Sequence, residues 1–182
     1  MVLTLVLTLL MMVGLFLLLF SVVVFIKDKK FFKPAPKDVY EAINEHKDAK
    51  KGIGYALAFL ALILLIGSLF YGAYDGIKND FSYLDFIIRF LIMLYGLEIF
   101  DIVVLDFIIF HHTHFYQHFY PETINCVGYK KIGYNYKTHL IFIFCILPLC
   151  AALSGICLVI KTSASLNEVT TTLNMFLSFF VK

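Results

Sequence analysis

The sequence predicts an all-α polytopic membrane protein, a bundle of about four transmembrane helices with further helices at the interface. Apolar residues make up 61% of the 182-residue chain and charged residues 15%; soluble domains average roughly 45–50% and about 25%. The apolar residues gather in blocks of twenty or more and bring the mean hydropathy to +0.88, the pattern a bilayer selects. Lysines collect between those blocks, which gives the chain an order across the membrane. The net charge of +2 is too small to draw nucleic acid, and the four cysteines contain no CxxC pair, so neither a disulfide framework nor thiol-redox chemistry is expected.

The first span covers residues 2–26, apolar apart from Thr4, Thr8 and Ser21. No lysine or arginine precedes it and Lys27–Lys30 follows, which predicts an uncleaved anchor with a translocated N-terminus rather than a signal peptide. Residues 27–51 hold eight lysines and five acids. Pro34 and Pro36 stop the first helix. Asp38 with Glu41 reads as a capping box for a short surface helix presenting Val39, Tyr40, Ile43 and Lys47 on one face. The second span covers 52–73, thinned by Gly54, Ala58, Ala61 and Gly67 so that a neighbouring helix approaches closely. The following loop holds Asp75, Asp80 and a single lysine, Lys78. A third span covers 85–110 and a fourth 139–160, where Pro148 is expected to kink the helix. Between them, residues 111–138 carry Lys130, Lys131 and Lys137. Ser165 and Glu168 form a second capping-box pattern, and 165–181 reads as an interfacial or partner-docked amphipathic segment.

The third span differs from the others because it carries Arg89, Glu98, Asp101 and Asp106. Each such group costs at least ~2.5–3.5 kcal/mol near the centre of a membrane helix, so it needs a partner, water or a task. Asp85 and Arg89 are four residues apart and are expected to pair near the outer surface. Glu98 falls near mid-membrane with Asp101 one turn deeper on nearly the same face, while Asp106 sits well round the helix. Two carboxylates one turn apart in a low dielectric do not both ionise readily. Glu98, Asp101 and Asp106 are therefore the expected ligand- or proton-binding residues. They would otherwise hold the bundle together by bonding Tyr55, Tyr95 or Ser154. His111, His114 and His118 fall at i, i+3 and i+7, with His112 continuing the Glu98–Asp101 face, a spacing that suits a divalent transition metal if the helix continues.

The run EIFDIVVLDFIIF from Glu98 to Phe110, the turn Pro121–Thr123 and GYNYK before the fourth span resemble an uncharacterised family of small multi-pass bacterial membrane proteins. Asp101, Asp106 and Phe107 match its Asp-x4-Asp followed by an aromatic. The chain departs from it in having Phe107 where Trp is usual, and four histidines where basic residues precede the turn. The resemblance implies a bacterial membrane protein and supplies no activity.

These features point to a small integral protein of the cytoplasmic membrane, both termini outside. It would be a complex subunit, or a binder or carrier of a proton, cation or small ligand through an acidic intramembrane cleft, without a resident cofactor. Besides the bilayer, its expected partners are other membrane subunits or further copies of the chain. A membrane-embedded metalloenzyme using the histidines, and a purely structural partner-binding protein, are the alternatives. The lysine asymmetry makes the orientation testable. In a cysteine-free background, cysteines introduced at Lys47 and Lys130 should resist an impermeant thiol reagent in intact cells while one at Lys78 reacts; labelling at either of the first two positions overturns the orientation.

Overall fold

The computed structural model describes residues 1–180 except 45, 47 and 48, with side chains described as far as Ala164. The described chain is all-α. Helix α1 (Val2–Phe20) runs on into a π-helical stretch, Ser21–Ile26. Short helix α2 spans Lys37–Ala42, α3 spans Lys51–Lys78, and α4 spans Tyr83–Phe100 and continues as a π-helix through Asp101–His112. After α5 (Phe115–Phe119) come 3-10 turns at Pro121–Thr123 and Val127–Lys130, then α6 (Tyr136–Phe180). Among the described residues, three helical segments are long and apolar enough to cross a membrane: Val2–Ile26, Lys51–Lys78 and Tyr136–Ala164.

Helix α1 packs mainly on α3, α4 on α6, and α1 also on α4. The inward stripe of α1 is Thr4, Leu7, Thr8, Met11 and Gly14, three to four residues apart as a helical face requires. Thr8 belongs there because its hydroxyl donates to the Thr4 carbonyl at 2.8 Å. Of the four small residues expected to admit a neighbour to α3, Gly54 and Ala61 are buried while Gly67 faces open space. A Cβ on Gly54 would sit 3.0 Å from the Ile26 backbone nitrogen, so no larger residue fits where α3 meets the end of α1.

Helices α4 and α6 run antiparallel. Tyr95 donates to the Ile143 carbonyl at 3.1 Å and Tyr83 to the Ala151 carbonyl at 3.3 Å. At the far end, Lys161 reaches Asp80 at 3.0 Å and the Phe81 carbonyl at 3.2 Å. Pro148 lies within α6, whose backbone stays helical to Phe180. Residues 165–180 thus prolong α6 rather than beginning a separate surface helix at Ser165; their side chains, like Lys47, lie outside the described residues.

Asp85 does not pair with Arg89. It closes a capping box with Ser82, which is 2.7 Å away through its hydroxyl. Arg89 is instead buried, 4% exposed, with Asp75 at 2.8 Å and the Gly72 carbonyl at 2.6 Å, both on α3. Its guanidinium lies 4.2 Å from the Phe81 ring centroid, a favourable cation–π distance. Four residues along α4 put Asp85 and Arg89 on one face, but the helix start needed its cap and the buried cation needed a desolvated partner.

At the opposite end of the bundle, the two lysine-bearing segments pack on each other. Phe32, Val39 and Ile43 from the first share a core with Phe110, Tyr116, Tyr120 and Tyr129. Asp38 leaves the α2 cap to Pro36 and accepts from the Gly128 N–H at 2.7 Å, 90 residues away. Glu122 accepts from the Asn44 N–H at 3.2 Å and lies 3.0 Å from the His46 ring. Burial raises both carboxyls. The Gly128 and neighbouring backbone donors at Asp38, and the Asn44 N–H, further backbone donors and His46 at Glu122, outweigh it and hold each below its ordinary value.

A carboxyl lowered on folding stabilises the native state above its unfolded value, and that stabilisation is lost as pH falls through the folded one. Docking of the two segments should therefore hold from pH 7 down to the ordinary values of 4.5 for Glu122 and 3.8 for Asp38, and weaken only below them. Asp38→Ala should speed exchange of the Gly128 amide about tenfold, for a charge-assisted bond worth about 1.5 kcal/mol. Hydrogen exchange by mass spectrometry reads both effects.

Candidate functional site

The acids of the third apolar run converge on a residue of the fourth. His139 lies in the first turn of α6 and is buried, its side chain 11% exposed. Its Nδ1 stands 2.8 Å from Glu98 Oε1 and its Nε2 stands 2.8 Å from Asp106 Oδ2. Glu98 is nearly as enclosed at 12%, and Asp106 is 24% exposed. Asp101 completes the group: Glu98, Asp101 and His139 offer ligand atoms all within 4.8 Å of one another.

The winding of the helix explains how Asp106 joins. At 3.6 residues per turn, Asp106 would stand about 140° round from Asp101. From Asp101 to His112 the helix is π-wound, with i→i+5 bonds such as Thr113 N–H to the Ile108 carbonyl at 3.0 Å. Each turn then takes up more residues, and the five steps from Asp101 to Asp106 come closer to one full turn. The acid that α-helical spacing sends round the helix is brought back toward α6. π-helical stretches are rare and recur at functional sites.

The proton count follows from the contacts. A neutral imidazole carries one N–H and one lone pair, yet both ring nitrogens lie at hydrogen-bonding distance from carboxyl oxygens. One further proton must therefore reside in the group, on the ring or on an acid. With that one proton and every other carboxyl ionised, three carboxyls and one imidazole would carry a net charge of −2. Arg89 does not offset this, being bonded to Asp75 and about 13 Å along the helix from Glu98.

A cavity of about 340 Å³ adjoins the group, bordered by Asp106, His139, Ile102, Phe107, His111 and Tyr136 among others. Tyr129 and Tyr134 lie in the segment packed beside it. Burial pushes the Tyr129 phenol up to about 12 and raises that of Tyr134 too, so both remain neutral at physiological pH.

The four histidines after the third apolar run do not gather. The helix ends at His112, with Thr113 extended, so the i, i+3, i+7 face is never formed. His111 donates from Nδ1 to the Tyr129 carbonyl at 2.7 Å, and His112 from Nδ1 to the Phe107 carbonyl at 2.7 Å. His114 and His118 are exposed, His118 against Phe119. Among the described residues, the group with metal-ligand spacing is Glu98, Asp101 and His139. Nor do the acids use the hydroxyls expected of them. Tyr55 is exposed, Tyr95 bonds α6 backbone, and Ser154 lies about 22 Å along α6 from His139.

Sequence reasoning missed His139 because it stood at the margin of an apolar block. The available signal was that an acid-bearing span requires a base on a helix beside it. Comparison with protein families, curated proteins and solved structures finds no match for this chain.

Removing one partner of a buried pair costs about 3–5 kcal/mol because it strands the other charge. His139→Ala should destabilise by that order, and adding Glu98→Gln with Asp106→Asn should recover part of the loss. Glu98→Gln alone keeps a hydrogen-bonding group opposite Nδ1 and should stay folded. Thermal unfolding of these variants in detergent, with Glu98→Gln/Asp106→Asn in the presence of His139 closing the mutant cycle, checks the set.

Proposed function

We propose that this protein is a small integral membrane protein of four spans that binds a cation, from a proton to a small cationic group, through an acidic cleft within the membrane. Three observations support the fourth span. The α part of α4 alone is about 27 Å long at 1.5 Å per residue. It returns along α6 in antiparallel register. Phe32, Val39 and Ile43 from the segment after α1 also share one core with Tyr116, Tyr120 and Tyr129 from the segment before α6 at the same end of the bundle, in keeping with α3 and the α4 helix crossing it in opposite senses. Both segments are lysine-bearing, so the positive-inside rule assigns that end to the cytoplasm of a bacterial cell and the N-terminus to the outside. The outer face of α3, with Ile53, Phe59, Ile63, Ile66 and Phe70 exposed, suits acyl chains.

The observation that carries the cation reading is His139 clamped between Glu98 and Asp106 with Asp101 alongside. Three carboxyls against one base is an excess of negative charge in a water-poor site, and Asp101 accepts no hydrogen bond from another side chain among the described residues. Such a site attracts whichever cation reaches it, and the cavity beside Asp106 and His139 gives access. A purely structural polar clamp needs only one acid per ring nitrogen and leaves Asp101 without a purpose.

A ligand that binds only the folded state stabilises it by RT ln(1 + [L]/Kd), about 2.7 kcal/mol at a hundredfold excess over Kd. For a chain of this size that is a rise of about 5–10 °C in Tm. Wild-type protein in lipid nanodiscs, screened against a fall from pH 8 to 6, divalent metal ions and primary amines, should show such a rise with at least one of them. Glu98→Gln/Asp101→Asn should lose it. A flat response to the whole series, or one unchanged in the double variant, overturns the reading.

A further inference from the structure

We infer that the cation is a divalent first-row transition metal ion, held by Glu98, Asp101 and His139 Nδ1, with Asp106 as the carboxylate that orients the histidine. The inference rests on the cation-binding reading above and narrows it to a chemical class. Its starting point is the division of labour at the imidazole. Metal-bound histidines almost always give their other ring N–H to a carboxylate or carbonyl, which fixes the tautomer and turns the lone pair toward the ion. Asp106 stands in that place at His139 Nε2, 2.8 Å away. With the proton held on Nε2, Nδ1 carries the lone pair, and Nδ1 is the nitrogen facing Glu98.

The spacing fits. Two ligand atoms each about 2.1 Å from one ion and at right angles lie about 3 Å apart. Glu98 Oε1 and His139 Nδ1 are 2.8 Å apart, and with Asp101 all three ligand atoms fall within 4.8 Å of one another. An ion entering between them replaces the proton that joins Glu98 to Nδ1, and that proton leaves to solvent. No residue has to move to a different face of its helix.

Charge favours the exchange. Three carboxylates and a neutral ring carry −3. One proton brings the group to −2, and a divalent ion in its place brings it to −1, so the exchange lowers the residual charge that burial makes costly. Two carboxylate oxygens and one imidazole nitrogen suit Mn²⁺, Fe²⁺, Co²⁺ or Zn²⁺ better than Mg²⁺ or Ca²⁺, which take oxygen ligands alone. Outside the group's own members, the cavity is lined by Ile102, Phe107, Tyr136, Ile143 and the His111 ring among others, with no lysine or arginine among the described residues that border it, and the neutral Tyr129 and Tyr134 phenols lie in the segment beside it.

The test uses full-length, tag-free protein in nanodiscs, stripped with chelator and titrated with Co²⁺. Visible d–d absorption, equilibrium dialysis and proton release are read together. The expected result is one Co²⁺ per chain with release of at least one proton. His139→Gln should weaken binding at least a hundredfold, and Asp106→Asn by ten- to a hundredfold, the usual effect of losing a carboxylate behind a metal-bound histidine. Glu98→Gln, expected to stay folded, should also weaken it and so guards against loss through misfolding.

Replacement of His111, His114 and His118 together by glutamine should leave the stoichiometry unchanged. Loss of Co²⁺ in that triple variant with retention in His139→Gln overturns the assignment. So does failure of the folded wild-type protein to take up Co²⁺. If uptake fails while the Tm response to protons or amines persists, the metal ion is excluded and the cation-binding reading stands. If both are absent, both fall.

Discussion

A charged side chain packed among apolar helices has little water to solvate it, and this fold is arranged around satisfying the buried and half-buried ionisable groups of α4. Apolar packing is non-directional and by itself sets the rotation and depth of a helix poorly. The polar contacts of α4 are directional. Arg89 ties it to α3 through Asp75 and the Gly72 carbonyl, and Glu98 and Asp106 tie it to α6 through His139. The two sets lie on different stretches of the helix and engage different neighbours. Together they fix both its rotation and its depth, which leucine and phenylalanine alone would leave free to slide.

The π-wound stretch is the concession that this arrangement requires. A π-helix is a rare and less favourable backbone geometry than an α-helix, and here it persists from Asp101 to His112. Restoring α-helical winding would carry Asp106 away from His139 and leave its carboxyl with no base on α6. The backbone cost is thus set against a buried histidine bonded at one nitrogen only. Further along, the same winding ends against Thr113, whose hydroxyl donates to the Ile109 carbonyl at 2.6 Å, and the chain turns there into the docked segment.

Much of this was legible in the residues. Block hydropathy predicted four spans, of which the first, second and fourth correspond to helices long and apolar enough to cross a membrane, and the cost of buried charge singled out Glu98, Asp101 and Asp106 before any geometry was known. Pairings were the part that could not be read. Helical spacing offered Asp85 to Arg89, but Ser82 needed the same carboxylate for its cap and Asp75 lay across the interface. The Asp38–Glu41 pattern looked like a cap, yet the Gly128 amide outcompeted it. The histidine stripe assumed 3.6 residues per turn and a helix that continued past His112, and neither condition held. Periodicity reports which residues share a face only while the period is known, and a change to π winding leaves no mark in composition.

The placement of the site also reconciles two opposite charge patterns. The end of the bundle nearest His139 carries the lysine-bearing segments, a field that repels cations at long range. Lys30, Lys33, Lys37, Lys130, Lys131 and Lys137 are exposed, where interactions are screened beyond about 8 Å at physiological salt. The acids lie under the apolar packing of Phe110, Tyr129 and Tyr134, whose ring centroids stand 4.9 Å apart in each pair with Phe110. Screening there is weak, so the local negative excess dominates what the site experiences. The docked segment does more than cover that end. Tyr129, which accepts from His111 through its carbonyl and meets the Thr123 hydroxyl at 2.8 Å, excludes water on one side. Ile132 and Gly133 then border the cavity. Keeping the lysines in water and the carboxyls beneath aromatic rings lets a basic surface and an acidic site occupy one end of a small bundle without cancelling.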